Sequence, residues 1–156
     1  MRIVIDTNVL VSAILDNGKP RQLVLTLLEE HKVVISHQML AERADVLARD
    51  KFHVKSSQVN RFLANIENNS KVVEDNPRFK VISEDSDDDI FINAAYTGKA
   101  DYIVTGDKHL LALKKFKQTK IVNVTQMLRF LAEMQLSHAI GWEQEKSQRN
   151  HRPIPQ

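Results

Sequence analysis

At 156 residues, 42% hydrophobic and 27% charged, the chain has the length and apolar content of one ordinary globular domain; that composition excludes a disordered chain. The formal net charge is only +2 and there is no cysteine, which excludes disulfides, thiolate metal sites and cysteine nucleophiles and agrees with a reducing cytosol. No signal-peptide apolar region fits ahead of Asp6, and no apolar run approaches a membrane span, so a soluble, cytoplasmic protein is expected.

Strand and helix patterns alternate from the start. Arg2-Ile3-Val4-Ile5 reads as a β-branched strand that delivers Asp6, and Thr7 to Leu15 continues as a helix. Asp16-Asn17-Gly18-Lys19-Pro20 interrupts it, and Pro20 can open a second helix, with Leu23, Leu27 and Leu28 as anchors, to about His31. Lys32 to Ile35 is a strand, after which Ser36 can cap a helix carrying Met39, Leu40, Val46 and Leu47. A further helix starts at Ser56 or Ser57, with Val59, Phe62, Leu63 and Ile66 in register; Lys71 to Glu74 is a strand, followed by a loop with Pro77. The pattern continues with a helix over about 86–97, a strand ending near Thr105, a helix over 107–116, a strand over 120–123 and an amphipathic helix over 124–134. From Gly141 onward the chain is polar and reads as a loose tail. The alternation predicts an α/β fold in three layers, α/β/α, around a central, mostly parallel sheet.

In such a sheet, carboxylates just beyond two strands share one edge, the edge where open α/β sheets hold ligands. Asp6 follows the first strand and Asp107 follows Tyr102-Ile103-Val104-Thr105-Gly106. Each could serve merely as a helix N-cap. Gly106 would allow a positive φ or close backbone approach, and the Thr105 hydroxyl can support a neighbouring carboxylate. Glu42 lies three residues after Met39 and four before Val46, on the apolar side of its helix. In the run Glu84-Asp85-Ser86-Asp87-Asp88-Asp89, Asp88 shares a helical face with Phe91, Ile92 and Ala95. Asp87 fits nearly as well, so periodicity leaves the choice open. Capping and dipole roles suit Asp85 or Asp89. Clustered carboxylates repel unless neutralised, and an all-oxygen set favours Mg²⁺ or Mn²⁺ over zinc. The chemistry that follows is metal-assisted attack on a phosphodiester.

Read together, Ile3 through Leu10, Ser36 through Glu42 to Leu47, Asp85 through Ile92 and Ala100 through Asp107 resemble the PIN domain, the nuclease fold of many toxin components of toxin–antitoxin pairs. The segments keep that family's order over most of residues 1–130, which places the domain at 1–136 and a polar C-terminal tail at 137–156. The resemblance implies that Asp6, Glu42, Asp88 and Asp107 bind metal and catalyse, with Asn8, Thr105 and Asp85 in support, and it selects Asp88 over Asp87. It implies cleavage of single-stranded RNA with Mg²⁺ or Mn²⁺, and an antitoxin protein as partner. Homodimers are common among such domains, though no residue pattern dictates one here.

Two rival readings stand beside this one. A phosphatase of the haloacid dehalogenase type also places an aspartate after its first strand, but needs an acid two residues on, where this chain has Asn8. The other is a non-catalytic PIN-fold module that holds RNA or protein. Lys114, Lys115 and Lys117 are candidate phosphate contacts or a solvated face. His37 and His109 read as surface or capping residues, and Trp142 as a tail anchor or partner contact.

Overall fold

The computed structural model describes residues 1–47, 56–82 and 88–150. The elements run β1 (Arg2–Ile5), α1 (Thr7–Leu15), α2 (Lys19–Glu30), β2 (Lys32–Ser36), α3 (His37–Leu47), α4 (Ser56–Asn68), β3 (Ser70–Val73), α5 (Asp89–Thr97), β4 (Tyr102–Val104), α6 (Lys108–Leu113), β5 (Lys115–Phe116), β6 (Thr119–Val122) and α7 (Val124–Asn150). Among the described residues the strands form one sheet in the order β3-β2-β1-β4-β6-β5. Every neighbouring pair is parallel except β5 with β6.

Ile3, Val4 and Ile5 are all essentially unexposed, as are Val33, Val34, Ile35, Ile103 and Val104. Successive residues of a strand point to opposite faces, so consecutive burial means that helices cover both faces of the sheet. The apolar anchors read from helical spacing supply that cover: Leu23, Leu27, Leu28, Met39, Ile66, Phe91, Ile92 and Ala95 are buried. The fold is the expected α/β one.

The connectivity fixes where a site can lie. From β1 the chain winds outward through β2 to β3, then crosses back so that β4 joins β1 on its other side. The strand order reverses between β1 and β4, and their carboxyl ends open onto the resulting crevice. Because α5 leads into β4, it runs against the strand direction, so its N-terminus also lies at the carboxyl edge.

Two boundaries differ from expectation. The helix expected over 107–116 ends at Leu113, because Lys114 turns to φ 59° and Lys115–Phe116 pairs with β6 as a short edge strand. The last helix does not stop at residue 134 but continues to Asn150, through most of the segment read as a loose tail. Residues Met1–Val124 form one compact unit, which contains the whole sheet, and the residues from Thr125 form a second. Within that second unit Trp142 is 62% exposed, with the Lys146 Nζ 3.6 Å from its ring centroid. Among the described residues no helix is long and apolar enough to cross a membrane.

Candidate active site

Asp6 occupies the first position beyond β1, and its backbone N–H donates to the Val104 carbonyl at 2.9 Å, prolonging the β1–β4 ladder by one rung. Its side chain is 2% exposed. Asp6 is also the N-cap of α1: Oδ1 accepts from the Asn8 N–H at 2.9 Å. The other oxygen, Oδ2, accepts from the Thr105 hydroxyl at 2.6 Å, and that hydroxyl oxygen in turn accepts from the Asp107 N–H at 3.0 Å. Thr105 therefore links the two aspartates across the switch point. It is fully buried, so its rotamer is set by packing and this geometry is held stiffly.

Burial is the largest influence on Asp6 and pushes its carboxyl above the ordinary value of 3.8. The hydrogen bonds from Thr105 and Asn8 oppose that rise, and the charge of Asp107 adds to it. A carboxylate kept dry beside a second one is a group whose ionised form a cation would stabilise. Asp107 is half-buried and caps α6, its Oδ1 accepting from the N–H groups of His109 at 2.8 Å and Leu110 at 3.1 Å.

Asp88 is 7% exposed at the N-terminus of α5 and its side chain does not cap that helix. Glu42 is half-buried on α3, which packs against α5. Asp88 stands at the helix end that meets the carboxyl edge and Glu42 in the second turn of α3, whereas Asp6 and Asp107 directly follow strand ends. Among the described residues, no three or more His, Asp or Glu side chains stand close enough together to hold one ion as placed. The link that the structure shows is Asp6–Thr105–Asp107. The donor set, carboxylates and a hydroxyl, nevertheless has the chemistry of a hard-cation site.

Other expectations resolve individually. Asn8 serves Asp6 through its backbone, and its own side chain is exposed. Asp85 lies outside the described residues. Gly106 does not take a positive φ, and a Cβ added there would meet nothing within 4 Å, so neither reason proposed for a glycine applies within the chain. Lys114, Lys115 and Lys117 are exposed, as are His37 and His109.

Asp89 has a part that spacing did not foresee. It is 6% exposed, and its Oδ1 accepts from the N–H groups of Val81 at 2.8 Å and Ile82 at 2.9 Å. Asn93, one turn on, accepts from the Phe79 N–H at 2.8 Å and donates to the Phe79 carbonyl at 3.1 Å. Together they fasten residues 79–82 along α5. The signal in the sequence was two polar residues at i, i+4 on an otherwise apolar helix, a pattern that shows inward polar groups but not their partners.

A family model described as PIN domain matches residues 2–109. An uncharacterized protein, MJ1680 of Methanocaldococcus jannaschii, is 37% identical over 131 residues, spanning 80% of this chain and 83% of its own length. Among solved structures, VapBC2 from Rickettsia felis, bound to a DNA fragment from their promoter, matches with a TM-score of 0.55 at 18% identity, over 79% of this chain and 98% of that one. PAE2754 from Pyrobaculum aerophilum matches with a TM-score of 0.56 at 21% identity, over 85% of this chain and 90% of that one. At those identities the structural likeness concerns the fold.

Proposed function

Since the chain belongs to the PIN-domain family, whose members are generally nucleases, we propose that it is a Mg²⁺- or Mn²⁺-dependent endoribonuclease that cuts single-stranded RNA, and the toxin of a toxin–antitoxin pair. The observation that carries this reading is a carboxylate 2% exposed at the switch point, joined through the Thr105 hydroxyl to the backbone N–H of a second aspartate, Asp107. Desolvating a charge is costly, and a fold keeps such a group where it is used.

In this reading Asp6, Glu42, Asp88 and Asp107 hold the cation. Such an ion, when bound, offsets charge on the phosphodiester and makes a water a better nucleophile. The chain's own contribution is orientation. Thr105 fixes one oxygen of Asp6 and the Asn8 N–H the other, while the first turn of α6 fixes Asp107. Asp88 stands at the N-terminus of α5, 7% exposed, with a side chain that does not cap the helix, and the unobstructed space at Gly106 leaves room for a strand to approach. The exposed Lys114, Lys115 and Lys117 supply positive charge for its phosphates. The resemblance to toxin components supports a protein antitoxin as partner.

The test is cleavage of a mixed single-stranded RNA pool with Mn²⁺. Wild type is expected to cut, and Asp88→Asn to lose activity by about 100-fold or more, the scale of removing one preorganised electrostatic group. Equal cleavage by both proteins removes Asp88 from the mechanism. A wild type that cuts nothing leaves the non-catalytic PIN-fold module, holding RNA or protein, as the better reading.

A further inference from the structure

At the amino edge of the sheet, opposite the acids, the chain builds a second site from the end of α5 and the β5–β6 hairpin. A groove of about 510 Å³ is lined by Tyr96, Lys99, Asp101, Phe116, Lys117 and Thr119, among others. Its two aromatic lining residues, Tyr96 and Phe116, each stand edge-on to Phe79, at 4.8 Å and 5.1 Å. The Lys117 Nζ lies 5.3 Å from the Phe79 centroid, 5.9 Å from Tyr96 and 5.8 Å from Phe116. Arg78 stacks on Tyr96 at 5.2 Å and donates to its hydroxyl at 3.3 Å.

Two further observations set the ligand's charge. Two of the groove's other polar groups have partners within the fold: Asp101 accepts from the Arg2 N–H at 2.8 Å, and the Thr119 hydroxyl donates to the Ala100 carbonyl at 2.7 Å. Lys99 and Lys117, by contrast, have no carboxylate partner among the described residues. Both also hold left-handed backbone, at φ 52° and 50°. Glycine or asparagine adopts that conformation more readily than lysine. Cationic side chains are thus kept at the two positions bordering the groove where the backbone favours them least.

Aromatic faces beside cations that have no carboxylate partner among the described residues match a polynucleotide strand, whose bases stack while its phosphates pair with lysine. Exposed lysines lead from Asp107 to the groove: α6 starts with Lys108 and is followed by Lys114, and Lys115 leads into the hairpin. From Asp101 to Thr105 is four strand residues, roughly 13 Å at 3.3 Å per residue, a span of a few nucleotides. We propose that this groove binds single-stranded RNA a few nucleotides from the cleavage site, with Tyr96 as a stacking face and Lys99 and Lys117 as phosphate contacts. The identity of the ligand rests on the ribonuclease reading above.

The experiment is fluorescence anisotropy of a labelled 12-nucleotide single-stranded RNA in EDTA, where no metal-dependent cleavage occurs. Lys99→Gln/Lys117→Gln is expected to bind roughly tenfold or more weakly at 0.1 M salt, with a salt slope shallower by about 1.4, the value for two phosphate contacts on a single strand. Tyr96→Leu, which keeps an apolar cover but no π face, is expected to weaken binding about fivefold or more. Lys19→Gln/Lys32→Gln removes the same charge elsewhere and is expected to bind as wild type does. A wild type that fails to bind, a groove double variant that binds normally, or an equal loss in the control pair overturns the proposal. Cleavage with Mn²⁺ is scored separately. Groove-dependent binding without cleavage sinks the nuclease reading and keeps the groove, and cleavage with groove-independent binding does the reverse.

Discussion

In the proposed reading Asp6 meets two conflicting demands: it must be ionised to hold a cation, and it is buried where ionisation is disfavoured. Its folded carboxyl titrates above the ordinary 3.8, from burial first and from Asp107 as well. An acid whose folded pKa is raised penalises the native state at all pH values above that pKa, and the penalty fades as pH falls through it toward 3.8. At pH 7, without divalent cations, the Asp6 charge is therefore destabilising. Asn is as good an N-cap and keeps an acceptor for the Asn8 N–H. Its amide can also donate to the Thr105 hydroxyl, reversing the direction of that bond. Asp6→Asn is thus expected to melt higher than wild type in EDTA, by about 2–4 °C for each kcal/mol of relieved penalty. With Mn²⁺ the order should narrow or invert, because only wild type gains stability by binding. Thermal melts of both proteins with EDTA and with Mn²⁺ check this, and an Asp6→Asn protein that melts below wild type in EDTA refutes it.

Between elements, a close fit lies where α5 ends against β2. A Cβ built on Gly98 would stand 2.5 Å from Val34 Cγ1 and 3.1 Å from the Ala94 carbonyl oxygen. Gly98 has φ −84° and ψ 0°, which any residue can adopt, so propensity alone favours alanine by up to about 1 kcal/mol. Crowding against a central strand works the other way and costs about 1–3 kcal/mol. Crowding wins, and Gly98→Ala is expected to lower the melting temperature by several degrees; an unchanged or higher value would show that Val34 yields freely. No one-dimensional pattern announces this contact, and the same distinction separates what was legible in the sequence from what was not. The ends of β1 and β4, and so the positions of Asp6 and Thr105, were readable because β-branched runs stop there. The helical anchors were readable from spacing for the same reason. Where α6 ends was not, since Lys114 takes a left-handed conformation without glycine or proline to mark it. The length of α7 was missed because its later residues lack apolar periodicity, yet Glu, Gln, Lys and Arg are good helix formers when exposed. The clamp of Asp89 and Asn93 on residues 79–82 joins side chains to backbone atoms, which carry no sequence signature.

For the molecule as a whole, a net charge of +2 hides an uneven distribution: Asp6 and Asp107 lie at the carboxyl ends of β1 and β4, while the lysines of α6 and the hairpin lead toward the amino edge. A polyanion approaching without divalent cations is drawn by the second and repelled by the first. Two unit charges about 8 Å apart in water interact by about 0.5 kcal/mol, which is about a twofold change in affinity. Beyond about 8–10 Å salt screens most of that effect at physiological ionic strength. Asp107→Asn keeps an N-cap for α6 and removes one negative charge at the carboxyl edge, so in EDTA it should bind single-stranded RNA about two- to threefold more tightly than wild type. Glu29→Gln, an exposed change on α2 with the same effect on net charge, should leave affinity unchanged. Equal tightening by both variants would mean that total charge alone governs encounter. No tightening by Asp107→Asn would place the bound strand more than a screening length from Asp107, which is incompatible with that residue acting on RNA.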